Sequence, residues 1–203
     1  MKLIEAGDTA CPSSCVPVND QVVVEHTRRW ISSFVIELGL CPFAQRVFDE
    51  GRIRYALSHS RDENTLSIDL ANELRLLLTL PSAQIETTLL IHPHVLGNFH
   101  DYNAFLGVVD QLLEELRLCG TIQVASFHPQ YQFAGTEPNS AENYTNRSPY
   151  PMLHLLRETS VSQAVDGSDE VLKIPRRNIE TMRNLGHEHI LKRLKSLMWN
   201  NSP

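Results

Sequence analysis

Positive charge is what this chain is short of. Lys and Arg number 18 against 24 Asp and Glu, giving a net charge of −6. A nucleic-acid partner needs a concentrated basic face against its phosphates, so that class is disfavoured. No apolar run approaches the ~20 residues that span a bilayer, and the opening Met-Lys-Leu-Ile-Glu-Ala-Gly-Asp lacks the apolar core of a signal peptide. Cysteine is also scarce, with four in 203 residues. Cys11 and Cys15 stand in a Pro/Ser-rich leader without a second pair, so they read as free thiols, and a disulfide framework is not expected. Cys119 reads as a small buried hydrophobe at a helix end. There is no His-Glu-x-x-His, P-loop, Gly-x-Gly-x-x-Gly or Gly-x-Ser-x-Gly. These absences describe a cytoplasmic protein that crosses no membrane and uses no nucleotide cofactor. Oligomeric state is not legible.

What is present is an ordinary globular composition, 42% hydrophobic and 21% charged, in a length that suits one cored domain. Residues 1–19 read as a flexible extension and residues 20–199 as a single α/β domain. Asp20 is a candidate cap for a first helix carrying Val23, His26, Trp30, Phe34 and Leu38 on one face, stopped by Gly39. Pro42 suggests a short helix to about Glu50 with Cys41 at its N-cap, where helix amides lower a thiol pKa. A strand is expected from Arg52 to His59, then a helix from Glu63 to Leu80 with Leu66, Leu70, Leu74, Leu77 and Leu78 inward. Thr87–Ile91 reads as a buried strand. Asn98 or Asp101 then caps a helix ending at Gly120, and Ile122–Phe127 is the third strand. A long irregular segment follows, closing into an expected helix at Met152–Arg157. Ser160 is a candidate cap for a short helix over Val161 and Val165, and Asp166–Asp169 reads as a surface turn. Pro175 is expected to open the final helical region, with Gly186 breaking it. Strand, helix, strand, helix, strand implies a small sandwich whose central sheet, of at least three strands, is parallel or mostly parallel.

Long irregular segments inside compact domains are usually functional, and ligands bind beyond the carboxyl ends of parallel strands. All three expected strands end near histidine: His59, then His92 and His94, then His128. His92 and His94 flank Pro93 in extended chain, so both lie on one side. With His128 they form a candidate three-imidazole set for zinc, iron or manganese, leaving an open position for activated water. Asn146, Arg147 and Ser148 are the candidate substrate-binding residues, Arg147 as a bidentate anchor for an anion. Helix N-terminal amides near Ser148-Pro149 or Tyr150-Pro151 would support that anion. Tyr131 or Tyr144 is a candidate hydrogen-bond donor or acid.

Four blocks carry a resemblance. They are Leu-Cys-Pro-Phe-Ala, Thr-Thr-Leu-Leu-Ile-His-Pro-His-Val-Leu, Val-Ala-Ser-Phe-His-Pro followed by Tyr-Gln-Phe-Ala-Gly-Thr, and Asn-Arg-Ser-Pro-Tyr-Pro-Met-Leu-His-Leu-Leu-Arg-Glu. Together they resemble an uncharacterised bacterial family catalogued as domain of unknown function 1415, over about Thr27 to Leu185. The family implies no established reaction. It draws attention to Cys41, His92, His94, His128, Arg147, His154 and Arg157, which fall inside its blocks, and away from His59, which does not.

The leading expectation is a small metal-dependent, hydrolase-like enzyme acting on an anionic small molecule at the carboxyl edge of the sheet. Two alternatives stay open. One is a metal-free enzyme using Cys41 as nucleophile with a histidine base; the other is a non-catalytic module that binds a small ligand or a protein.

Overall fold

The computed structural model describes residues 19–160 and 170–199. The extension read over 1–19, with Cys11 and Cys15, lies outside them except for Asn19. So do the helix over Val161 and Val165 and the turn at 166–169. Asn19, rather than Asp20, opens the first helix: its Oδ1 accepts from the Gln21 N–H at 2.9 Å, which satisfies one free amide of the first turn. Helix α1 (Asp20–Trp30) buries Val23, His26, Thr27 and Trp30 and widens into π-helical turns over Ile31–Ile36. The chain turns at Gly39, whose φ of +64° suits glycine.

Helix α2 (Ala44–Asp49) leads to β1 (Ile53–Leu57), α3 (Glu63–Thr79), β2 (Thr87–Ile91), α4 (Phe99–Glu115) and β3 (Ile122–Phe127). A 3-10 turn at Ala141–Thr145 precedes β4 (Met152–Arg157), and α5 (Glu170–Leu185) and α6 (His187–Trp199) close the chain. Four sequence expectations are corrected. Met152–Arg157 is a strand, not a helix. Its six residues are too few for a helical period to declare itself, and Pro151 keeps the entry extended. Pro175 lies inside α5 rather than at its start. Leu78 is 42% exposed, because its neighbours at helical spacing already fill the buried stripe. The fourth correction is the sheet.

The sheet has the order β1-β2-β4-β3. Only β1 and β2 are parallel; β4 lies antiparallel between β2 and β3. The sheet is therefore mixed rather than mostly parallel. Since β4 is antiparallel to both neighbours, β1, β2 and β3 still run in one direction, and their carboxyl ends share one edge.

Helices cover both faces. On one, which we call the leucine face, α3 and α4 set Leu66, Leu70, Leu74, Tyr102, Phe105 and Val109 against Ala56, Leu90, Leu153 and Leu155. On the other, the helix-bundle face, α1, the π-helical turns, α5 and α6 set Val23, Trp30, Phe34, Met182 and Ile190 against Leu89, Ile91 and Met152. Each such buried side chain contributes about 1.5–3 kcal/mol through removal of apolar surface from water. All five residues of β2 are buried, as a strand covered on both faces requires.

Candidate functional site

The three strand ends deliver their histidines to two places. His59 and His94 meet at the surface with ring centroids 6.4 Å apart, and His59 Nε2 lies 3.2 Å from a carboxylate oxygen of Asp20. His92 and His128 turn inward instead, both fully buried. They flank Tyr102 of α4, with ring centroids 5.8 Å and 5.0 Å from it. The Tyr102 hydroxyl ties the strand ends together, donating to Met152 O at 2.9 Å and accepting from the Phe127 N–H at 3.0 Å.

Both buried imidazoles are fixed in one tautomer by consecutive carbonyls of the loop after β2. A carbonyl can only accept, so His92 Nδ1–H donates to Val95 O at 3.1 Å and His128 Nε2–H donates to Leu96 O at 3.1 Å. Leu96 takes φ +57°, a left-handed conformation that bulky residues avoid, and the loop's geometry depends on it. His128 Nδ1 accepts from the Gln130 N–H at 3.0 Å, so both its nitrogens are engaged. His92 Nε2 carries a lone pair, is buried, and has no hydrogen-bond partner. Burial holds the His92 pKa down to about 4 and also lowers that of His128, so both rings are neutral at pH 7.

This arrangement does not fit the expected metal. His94 stands with His59 rather than with His92, and His128 has no free lone pair. Among the described residues no three His, Cys, Asp or Glu side chains are grouped to hold an ion.

The irregular segment after β3 is organised by a residue the sequence reading passed over. Asn143 is fully buried. Its Oδ1 accepts from the Phe133 N–H and the Thr136 hydroxyl, and its Nδ2 donates to Glu137 O at 2.8 Å. An Asn ten residues from the amide it caps leaves no local pattern. Asn146 and Ser148 are also structural: Asn146 Nδ2 donates to Ser126 O at 3.2 Å, and the Ser148 hydroxyl donates to Tyr150 O at 2.7 Å. Tyr131 packs on Phe99 and Phe133, each ring centroid 5.0 Å away.

Arg147 differs from its neighbours. Its Nε donates to Tyr131 O at 3.1 Å and its Nη2 to Pro138 O at 2.6 Å. The guanidinium lies over the Tyr144 ring, 4.4 Å from the centroid. It faces an open cleft of about 470 Å³ between this segment and the start of α4, lined also by Asn98, Phe99, Gln130, Gln132 and Asn139. Among the described residues no Asp or Glu lines the cleft, and Arg147 is its one Lys or Arg. The helix amides expected near Ser148 and Tyr150 are absent because β4 begins there. Those of α4 are already capped by Asn98, whose Oδ1 accepts from the His100 N–H at 2.8 Å.

Cys41 is half-buried. The N-cap of α2 is Phe43, while the carbonyl of neighbouring Leu40 accepts from Asn178 Nδ2 of α5 at 2.7 Å. Burial pushes the Cys41 thiol up, and the amides of Phe43 and Ala44 offset this only in part. The lowered pKa expected of an N-cap thiol is therefore reversed. Arg157 caps a helix: its Nη2 donates to Leu77 O, Leu80 O and Ile85 O at 2.5, 2.6 and 3.1 Å, neutralising the carbonyl end of α3.

Comparison with known proteins agrees with the blocks. A family described as protein of unknown function (DUF1415) matches residues 22–192, and the chain belongs to it. No curated protein and no solved structure matches.

Proposed function

We propose that this member of the family binds a small anionic molecule, a carboxylate or phosphate, in the cleft beside the carboxyl edge, with Arg147 as its anchor. One observation carries the reading: Arg147 is held in place by two carbonyls and an aromatic ring, yet no carboxylate among the described residues pairs with it. A guanidinium has five N–H donors, and the two loop bonds leave a fork able to grip an oxyanion bidentately. Because the side chain is fixed beforehand, little of its rotamer entropy is lost on binding. The absence of acids from the lining removes any like-charge penalty. Phe99 and the prolines at 129 and 138 offer apolar wall, and the volume lies within the ~300–1,000 Å³ typical of small-ligand sites.

The test is a thermal-shift and calorimetric titration with inorganic phosphate and with citrate, on the wild type and on Arg147→Gln. A ligand at a hundred times its Kd stabilises the fold by about 2.7 kcal/mol. We expect one of the two anions to stabilise the wild type in a saturable, salt-sensitive way, and Arg147→Gln to abolish that response. An anion response that survives in Arg147→Gln would place the binding elsewhere.

A further inference from the structure

A second group of polar side chains lies away from the cleft, between α1 and the helix-bundle face of the sheet. Register places Tyr55, Leu89, His154 and Ala125 in one row across the four strands on this face. On α1, His26 and Trp30 are one helical turn apart, and both are buried. His26 Nδ1 shares a hydrogen bond with the Tyr150 hydroxyl at 2.8 Å, while its Nε2 has no partner. Among the described residues neither the Trp30 indole N–H nor the Tyr55 hydroxyl has one. Buried polar groups are rarely left unpaired, and three in one layer call for an explanation.

His154 adds a fourth polar function of known sense. The Thr87 hydroxyl donates to Leu155 O at 2.6 Å, so its oxygen accepts the His154 Nε2–H at 2.8 Å. That fixes the tautomer and leaves a lone pair on His154 Nδ1. Burial keeps the ring neutral. Although β4 is a central strand, His154, Leu156, Ala125 and Phe127 are partly exposed, whereas β2 beside them is fully buried. Trp30 and His154 contact the same Phe127 ring, with centroids 5.3 Å and 6.1 Å from it.

We propose that this layer is a second binding site, which takes a small uncharged molecule of amide type over Phe127. Its carbonyl would accept from the Trp30 indole N–H, and its N–H would donate to His154 Nδ1. The charge class follows from the surroundings. Desolvation keeps His26 and Tyr55 in their neutral forms. The charged residues that act on these rings, Glu25, Arg28 and Arg29, belong to α1; Glu25 and Arg28 are exposed, and Arg29 pairs with Glu25 at 2.8 Å. The Arg28 guanidinium lies over the Tyr55 ring, 5.5 Å from its centroid, on the edge strand opposite the one that carries Phe127. An ion buried here would lack a counter-charge.

The experiment uses the full chain labelled with ¹⁵N, titrated with acetamide and, as charged isostere, with acetate. The readouts are the Trp30 indole ¹H–¹⁵N resonance and the ring ¹⁵N resonances of His154. We expect acetamide to shift both along one saturable curve and acetate to shift neither. The same curve should appear in Arg147→Ala, which separates this site from the anion cleft. Trp30→Phe should abolish the His154 shift while its own spectrum remains dispersed. Failure of acetamide to move either resonance in the wild type overturns the proposal, whether or not the variant folds. So does a His154 shift that persists unchanged in Trp30→Phe, or an equal response to acetate.

Discussion

The two faces of the sheet are both covered by helices but not by the same chemistry. On the leucine face α3 and α4 interlock Leu66, Leu70, Leu74, Leu77 and Phe105 with the strands, all at 1% exposure or less. Among the described residues the strands send two unpartnered polar atoms to that side, the Thr88 hydroxyl and Arg157 Nε, the latter on a side chain whose Nη2 caps α3. On the helix-bundle face His26, Trp30, Tyr55 and His154 stand among the apolar residues, and three of them carry a buried polar atom with no partner. A face that serves stability alone has no reason to set four polar rings among its apolar residues, two of them buried and two half-buried. Both faces hold the fold; the helix-bundle face and the carboxyl edge also carry polar groups whose burial costs free energy, a cost that the proposed binding would offset.

That contrast is open to direct attack. The largest effect is expected on the leucine face, where Leu70→Ala and Leu74→Ala should each cost about 2–5 kcal/mol through lost burial and the void left behind. Chemical denaturation reads this out; a cost under about 1 kcal/mol would mean the two faces share the load differently. Acid comes next. His92 has a pKa near 4 in the fold against an ordinary 6.5. Between those values the unfolded chain binds the proton and the folded chain does not. The contribution is therefore complete above pH 6.5, declines as pH falls, and is gone below about 4. Its full size is roughly 3 kcal/mol, of which about 2 kcal/mol should be lost between pH 7 and pH 5. His154, also near 4 but partly exposed, acts in the same direction with smaller weight. Urea midpoints at the two pH values should fall steeply in the wild type and less steeply in His92→Gln. Equal slopes would mean that another group responds to the acid.

Thr87→Val probes the relay on the helix-bundle face. It removes both the donor to Leu155 O and the acceptor for the His154 N–H. The expected cost is about 1–3 kcal/mol, since two buried partners are left unpaired. The ring ¹⁵N shifts should also show His154 released from its single tautomer; an unchanged tautomer would show that something else fixes the ring.

Elements with long, strongly periodic patterns were readable from sequence. Thr87–Ile91 and Ile122–Phe127 appear as strands at the expected residues, α3 begins at Glu63, and Gly186 parts the last two helices. The Met152–Arg157 strand was not, because six residues, four of them apolar, fit either period, and β4 makes its case only through the two strands it pairs with. That one segment changed the sheet from mostly parallel to mixed. The site was partly legible for the same reason. Strand direction brought four histidines to one edge, but whether an imidazole turns outward like His94 or inward like His92 depends on α4 and Tyr102, which are distant in sequence. Arg147 could be singled out as a cation in an irregular segment. Nothing in Tyr-Thr-Asn-Arg-Ser distinguishes it from Asn146 and Ser148 as the one side chain left facing open space.

The smallest expected effect is the most discriminating. Trp30 is 3% exposed, yet its indole N–H has no partner among the described residues. Trp30→Phe keeps an aromatic ring against Phe127 and deletes that N–H, trading some lost burial for relief of an unpaired donor. In ligand-free protein the two should nearly cancel, leaving a cost below about 1 kcal/mol, much less than the ~3–5 kcal/mol expected when a buried Trp or Phe is cut to Ala. A larger loss in the absence of any added amide would mean that the N–H is already satisfied in solution. The helix-bundle face would then be a structural core alone, and the difference between the faces would lie in composition rather than in purpose.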